Sequence, residues 1–90
     1  MIDNIPQKTM ESLRRYISHG LPPGHFVTAV LCNDLRGAVT RADDDNAHAL
    51  IDIVQWVHSH APIACWGSPQ AVQRWQILKR RAEQREEVKG

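Results

Sequence analysis

Five residues, Gly20-Leu21-Pro22-Pro23-Gly24, break any regular structure in the first third of this chain. Each proline holds φ near about −65° and lacks an amide donor, so neither a helix interior nor a sheet ladder can pass through the pair. Gly24 is expected to take the positive φ that the third residue of a type II turn requires. The turn is stiff, and the elements around it must stop and start at its edges. The next stretch, Phe26-Val27-Thr28-Ala29-Val30-Leu31-Cys32-Asn33-Asp34-Leu35, reads as an apolar helix face with an Asn-Asp pair set into it.

Period and punctuation predict about four helices. The first runs from about Pro6 to His19, with Met10, Leu13 and Ile17 on one face. Gly20 stops it as a left-handed cap, and Leu21 takes the position of the apolar contact in a Schellman motif. The second begins after Gly24 and carries Phe26, Val27, Val30, Leu31, Leu35, Ala38 and Val39 on a broad face, with room for a bend or break at Gly37. Asn33 and Asp34 then fall mid-helix, where both are poor formers, so they either face solvent or hold a specific hydrogen bond.

The third helix opens on Asp43-Asp44-Asp45-Asn46, acceptors and negative charge where a helix start leaves amides free. Ala47, Leu50, Ile51, Val54, Val57, His58 and Ala61 trace its apolar stripe. Pro62 ends it, because the residue before a proline is steered out of the α region. The fourth starts with Ser68 as N-cap and Pro69 in its first turn. Val72, Trp75, Leu78 and Ala82 form its inner face, and residues 79–90 read as a charged, solvated and fraying end. No strand pattern is present. The expected fold is all-α, one domain over residues 1–90, with a core of Leu13, Ile17, Phe26, Val30, Leu31, Leu50, Val54, Val57 and Trp75.

Composition narrows the function classes. A chain of 90 residues holds one core, and one this small withdraws only roughly 60–65% of its unfolded surface from water, which makes a homo-oligomer, most simply a dimer, the expectation. Eleven Lys and Arg against ten Asp and Glu give a net charge of +1, which points to neither nucleic acid nor an anionic membrane. No apolar run approaches the ~20 residues of a membrane span. The opening Met1-Ile2-Asp3-Asn4-Ile5-Pro6 has no basic region leading into an apolar stretch, so a cytoplasmic location is expected, with Cys32 and Cys65 as reduced thiols.

Candidate chemistry is thin. His58 and His60 with Cys65 suggest zinc, but residues two apart on a helix point roughly 200° from one another, and further ligands would have to arrive from elsewhere. No metal and no cofactor are expected. Cys65 lacks a base and an orienting group in any recognisable pattern, so the chain is read as no enzyme. Trp66 is more open, since its indole offers a broad face for stacking on a planar ligand. Residues 66–75 resemble the opening of a repressor-type helix-turn-helix, yet no recognition helix comes after them and the charge is near neutral, leaving a DNA-binding regulator as a minor alternative.

Arg15-Tyr16, Gly20-Leu21-Pro22-Pro23-Gly24, Phe26-Val27-Thr28-Ala29-Val30-Leu31, Asn33-Asp34-Leu35, Arg41-Ala42-Asp43, Asn46, Leu50 and Cys65-Trp66-Gly67-Ser68 together resemble a family of small proteins encoded by tailed bacteriophages and prophages. The resemblance spans about Leu13 to Trp75. It implies a protein made in an infected bacterium that binds a host molecule. One expectation is sequestration of a small host-derived ligand, a nucleotide immune signal, to counter host defence. The other is an inhibitor that binds a host enzyme or defence protein. For the ligand, the expected site is framed by Pro23 and Gly24, with Phe26 or Trp66 as stacking face. Thr28, Asn33 and Asp34 would read polar edges, and Arg15 would meet phosphate.

Overall fold

Capping residues at Gly20, Asp34, Asp43 and Ser68 fix several of the helix boundaries that set the architecture of this chain. The computed structural model describes residues 4–89, with side chains through Gln84. Five α-helices come in order: α1 Gln7–His19, α2 His25–Leu31, α3 Leu35–Arg41, α4 Asp44–His60 and α5 Pro69–Lys89, with a 3₁₀ turn at Ile63–Cys65 before the last. No strand occurs among the described residues, so the fold is all-α.

α1 stops at Gly20, whose φ of 69° and ψ of 18° are left-handed and whose amide donates to the Tyr16 carbonyl. A glycine is needed there twice over. A Cβ at Gly20 would sit 2.8 Å from the Cβ of Lys79 and 3.2 Å from the backbone of Gln76, so α5 crosses the end of α1 at van der Waals distance. Gly24 differs from expectation. Its φ is −61° and its ψ 172°, an extended N-cap of α2 and no type II turn residue. The proline pair already delivers the chain to the helix start, and Thr28 locks it by donating its hydroxyl to the Pro23 carbonyl at 3.1 Å.

The expected second helix is two helices. Asn33 takes φ 63°, its amide donates to the Val30 carbonyl at 3.1 Å, and the Asp34 amide donates to the Ala29 carbonyl at 2.8 Å. Those two bonds are a Schellman closure with asparagine in the left-handed position that glycine more often holds. Asp34 then caps α3, its Oδ1 accepting from the Gly37 amide at 3.0 Å. Asn33 and Asp34 are thus the corner between helices rather than a mid-helix pair. Gly37, the position expected to bend, lies inside the regular turns of α3.

α4 and α5 begin as the sequence predicts. Asp43 Oδ1 accepts from the Asn46 amide at 2.8 Å, and Ser68 Oγ accepts from the Ala71 amide at 3.1 Å. The face α4 buries is rotated from the expected stripe. Ala49, Ile53 and Val57 are buried with Ala61, whereas Ile51 is 72% and Val54 47% exposed. On α5, Ala71 and Val72 are buried and Trp75 is half-buried, but Leu78 and Ala82 face solvent. The helix continues to Lys89, past the packed part of the domain, and stretches the long axis to 44 Å. The side chains of residues 85–90, on which part of the expected fraying end falls, lie outside the described residues.

Tyr16, Leu13, Leu31, Ile53 and Cys65 are the largest fully buried side chains. Tyr16 stands at the meeting point of the elements. Its hydroxyl donates to the Cys65 carbonyl at 2.7 Å, and its own carbonyl receives the indole N–H of Trp75 at 3.1 Å. Burial first, and then the nearby Cys65 and Cys32, push the phenol well above the ordinary tyrosine range.

Candidate functional site

The α2–α3 corner, α4 and Trp66 enclose a cleft of about 190 Å³ lined by Val30, Asn33, Asp34, Leu35, Ala38, Leu50, Val54, Val57 and Trp66. It exists because α2 and α3 pack closely on each other, while α4 keeps its backbone farther from every neighbouring helix. Long apolar side chains line the interval without closing it. Next to the lining residue Trp66 comes Gly67, whose φ of 110° only glycine adopts readily and whose amide donates to the Leu31 carbonyl at 2.7 Å. That bond fastens the Trp66–Ser68 segment to the end of α2 and holds Trp66 against the cleft.

Around the opening the surface is apolar. Of the lining residues Leu35 is 70% and Val54 47% exposed, while Val39 and Ile51 are exposed elsewhere on α3 and α4. Polar groups are few. Asn33 is committed to its left-handed turn, and one oxygen of Asp34 is held by Gly37. Among the described residues no cation lines the cleft, and its one charged side chain is the carboxylate of Asp34. Burial, and then the charge of Asp34, raise the pKa of the neighbouring Cys32 thiol. Trp66 is half-buried and meets the His58 ring edge-on at a centroid distance of 5.7 Å. Its indole Nε1 is buried without a hydrogen-bond partner.

The structure divides the residues expected to form one site. Asn33, Asp34 and Trp66 come together in the cleft. Gly24 and Phe26 line a separate shallow depression of about 330 Å³, together with Lys8, His25 and Arg41. The Phe26 ring belongs to the core and is only 8% exposed, so it presents no free stacking face. Pro23 and Thr28 spend their polar atoms on each other. Arg15 is exposed on α1 and lines neither concavity.

Sequence reasoning missed Leu35, Val39, Ile51 and Val54 as surface residues. The signal was the width of the stripes: α4 carries more apolar positions than one buried face accommodates. Among the described residues, no group of three or more His, Cys, Asp or Glu is placed to hold a metal ion, and no helix is long and apolar enough to cross a membrane. In comparisons with known proteins, no family model, no curated protein and no solved structure matches this chain.

Proposed function

We propose that this chain is a small helical docking protein whose α3–α4–Trp66 cleft receives an apolar side chain of another polypeptide. The observation that carries the reading is an apolar cleft whose own lining includes two exposed aliphatic residues, Leu35 and Val54. Scattered apolar residues are ordinary on a protein surface, whereas a contiguous patch with a concavity at its centre is the form of an interaction site. Size supports the same reading. Small-molecule pockets run to roughly 300–1,000 Å³, while the cleft of about 190 Å³ suits one or two anchoring side chains. In the phage setting that the sequence resemblance suggests, such a protein acts in the bacterial cytoplasm by binding rather than by catalysis, covering a surface of a host enzyme or defence protein.

A second reading, sequestration of an anionic nucleotide-like ligand, draws support from the depression beside Gly24, where Lys8, His25 and Arg41 gather. Its phenyl ring, Phe26, is buried in the core, and the carboxylate of Asp43 shares its lining with the cations, which makes it the weaker of the two.

One experiment separates them. Amide spectra of labelled protein titrated with indole, an apolar probe, are expected to move at Asn33, Leu35, Val54 and Trp66, and Val54→Glu is expected to abolish the response. Cyclic nucleotides and nucleoside phosphates are expected to leave the melting temperature unchanged. Nucleotide-induced shifts around Lys8 and Arg41, with an unresponsive cleft, would reverse the order of the two readings.

A further inference from the structure

We infer that the groove between the Ile63–Cys65 turn and α5 is a second docking surface, and that its occupant is an acidic amphipathic helix of another polypeptide. The groove is separate from the cleft described above, although Trp66 lines both.

Spacing gives the first argument. The groove has a volume of about 370 Å³, with Ile63, Ala64 and Trp66 on one side and Ala71, Arg74, Trp75 and Leu78 of α5 on the other. Those α5 residues stand at i, i+3, i+4 and i+7, which sets them along one side of the helix over roughly 10 Å of its axis. A partner helix places its apolar anchors at the same spacing. Ile63 is 83% and Leu78 57% exposed, whereas Ala64 and Ala71 add little bulk. Projecting and small residues side by side are the relief that ridge-into-groove helix packing uses.

Charge gives the second. The one charged residue of the described lining is Arg74. Its Nε donates along α5 to the Gln70 carbonyl at 3.4 Å, and among the described residues no carboxylate pairs with it. The Lys79 Nζ lies 4.9 Å from the centroid of the Trp75 ring, a second positive charge in contact with a lining residue. From Ile53 to Ala82 the sequence holds no Asp or Glu, and the next carboxylate, Glu83, is taken by His19 at 2.7 Å. The whole chain is close to neutral, yet the lining of this groove presents positive charge alone. Carboxylates complement it, and an arginine fork can hold one through two parallel bonds.

The indoles favour a polypeptide over a lipid surface. Trp75 gives its N–H to the Tyr16 carbonyl at 3.1 Å, and the Nε1 of Trp66 is buried. Neither has the free polar edge that a tryptophan at a membrane interface turns to the wet side. What each offers the groove is hydrocarbon, which suits the apolar side of a helix.

Two designed helical peptides test the assignment. They share a Leu stripe at i, i+3, i+4 and i+7 and differ in its flanks, Glu in one and Lys in the other. With the Glu peptide, amide signals of the labelled protein are expected to shift at Ala64, Ala71, Trp75 and Leu78. Its affinity is expected to exceed that of the Lys peptide about tenfold or more and to fall with added salt. Arg74→Glu is expected to reverse the preference, an outcome that a weakened fold cannot produce. Leu78→Glu, at a second exposed position, is expected to weaken the Glu peptide, with circular dichroism confirming the helical fold of both variants. Val54→Glu, in the cleft, is expected to leave its binding unchanged. Equal affinity for the two peptides, no binding of either, or a Glu preference that survives Arg74→Glu overturns the assignment. So do groove shifts caused by phosphatidylglycerol vesicles or oligothymidylate when the Glu peptide causes none. The indole response at Val54 is read separately, so either docking surface can fail while the other stands.

Discussion

The Tyr16 hydroxyl donates to the Cys65 carbonyl across 2.7 Å, joining α1 to the turn before α5 over forty-nine positions of sequence. The bond is fully buried, and a second carbonyl, that of Val72, stands 3.4 Å from the same oxygen. Tyr16→Phe keeps the ring and strands the Cys65 carbonyl. The expected cost is about 1–3 kcal/mol, the penalty of an unmet buried polar group. A urea titration followed by circular dichroism reads it as a lower midpoint with an unchanged slope.

Stability should fall on the alkaline side. Tyr16, Cys65 and Cys32 all have pKa values raised in the fold, chiefly by burial. A raised value means that the folded state keeps its proton while the unfolded chain gives it up. The contribution is complete below the unfolded values, about 8.5 for thiols and about 10 for tyrosine, and declines as pH climbs above each. Melting temperature should therefore hold steady from neutrality to about pH 8 and drop beyond it, in two stages. Tyr16→Phe should remove the later stage. A melting temperature that rises between pH 9 and 11 would contradict the assignment.

Gly37 presents a case where helix propensity misleads. Replacing glycine with alanine inside a helix ordinarily gains up to about 1 kcal/mol. Here a Cβ would run into the carboxylate of Asp34, the group that caps α3 through the Gly37 amide. Gly37→Ala should destabilise the domain, and Asp34→Ala should cost about 1 kcal/mol through loss of the cap. If the two effects share one cause, the double variant should fall well short of their sum, which a double-mutant cycle measures directly.

The rotated face of α4 gives a sharp contrast between adjacent residues. Ile53 is fully buried and Val54 is 47% exposed. Ile53→Ala should cost about 2–5 kcal/mol as a core truncation. Val54→Ala should stay within about half a kcal/mol, as surface changes commonly do. Paired denaturation curves decide the point, and a Val54 penalty equal to that of Ile53 would restore the sequence-derived stripe.

Two tryptophans differ in what their indole nitrogens do. Trp75 donates to the Tyr16 carbonyl at 3.1 Å, whereas the buried Nε1 of Trp66 has no partner. Trp75→Phe should lose about 0.5–1.5 kcal/mol from that bond, beyond the change in packing. Trp66→Phe removes an unmet donor and should cost less than Trp75→Phe. Thermal unfolding of the two variants side by side checks the ranking.

Capping chemistry was the legible part of this chain. Asp43, Pro62, Ser68 and Gly20 mark helix ends in the sequence and in the structure alike, because each acts on backbone groups within a turn of itself. The corner at Asn33 was not legible. A left-handed asparagine leaves no composition signal as strong as glycine, and Leu35, Ala38 and Val39 continue the apolar pattern across the break. The α4 face failed for a different reason. Ile51 and Val54 have the character of core residues, and only the packing of Ala49 and Ile53 against the rest of the domain shows that a second apolar side remains outside. Of the expected site, Asn33, Asp34 and Trp66 share the cleft because hydrogen bonds fasten the chain at Asp34 and Gly67 to α2, a proximity that separation in sequence conceals.

The shortness of α2 and α3 limits how this surface can be borrowed. Each has seven residues, well below the ~12–15 that an isolated helix needs to persist in water. Their shape is therefore lent to them by the rest of the domain. An excised peptide covering Leu35 to Val57 would lose the corner at Asn33 and the wall at Trp66, and with them the recess. Whatever recognises this face recognises an assembled epitope, so inhibitors copied from a linear stretch of it should fail where the intact domain succeeds.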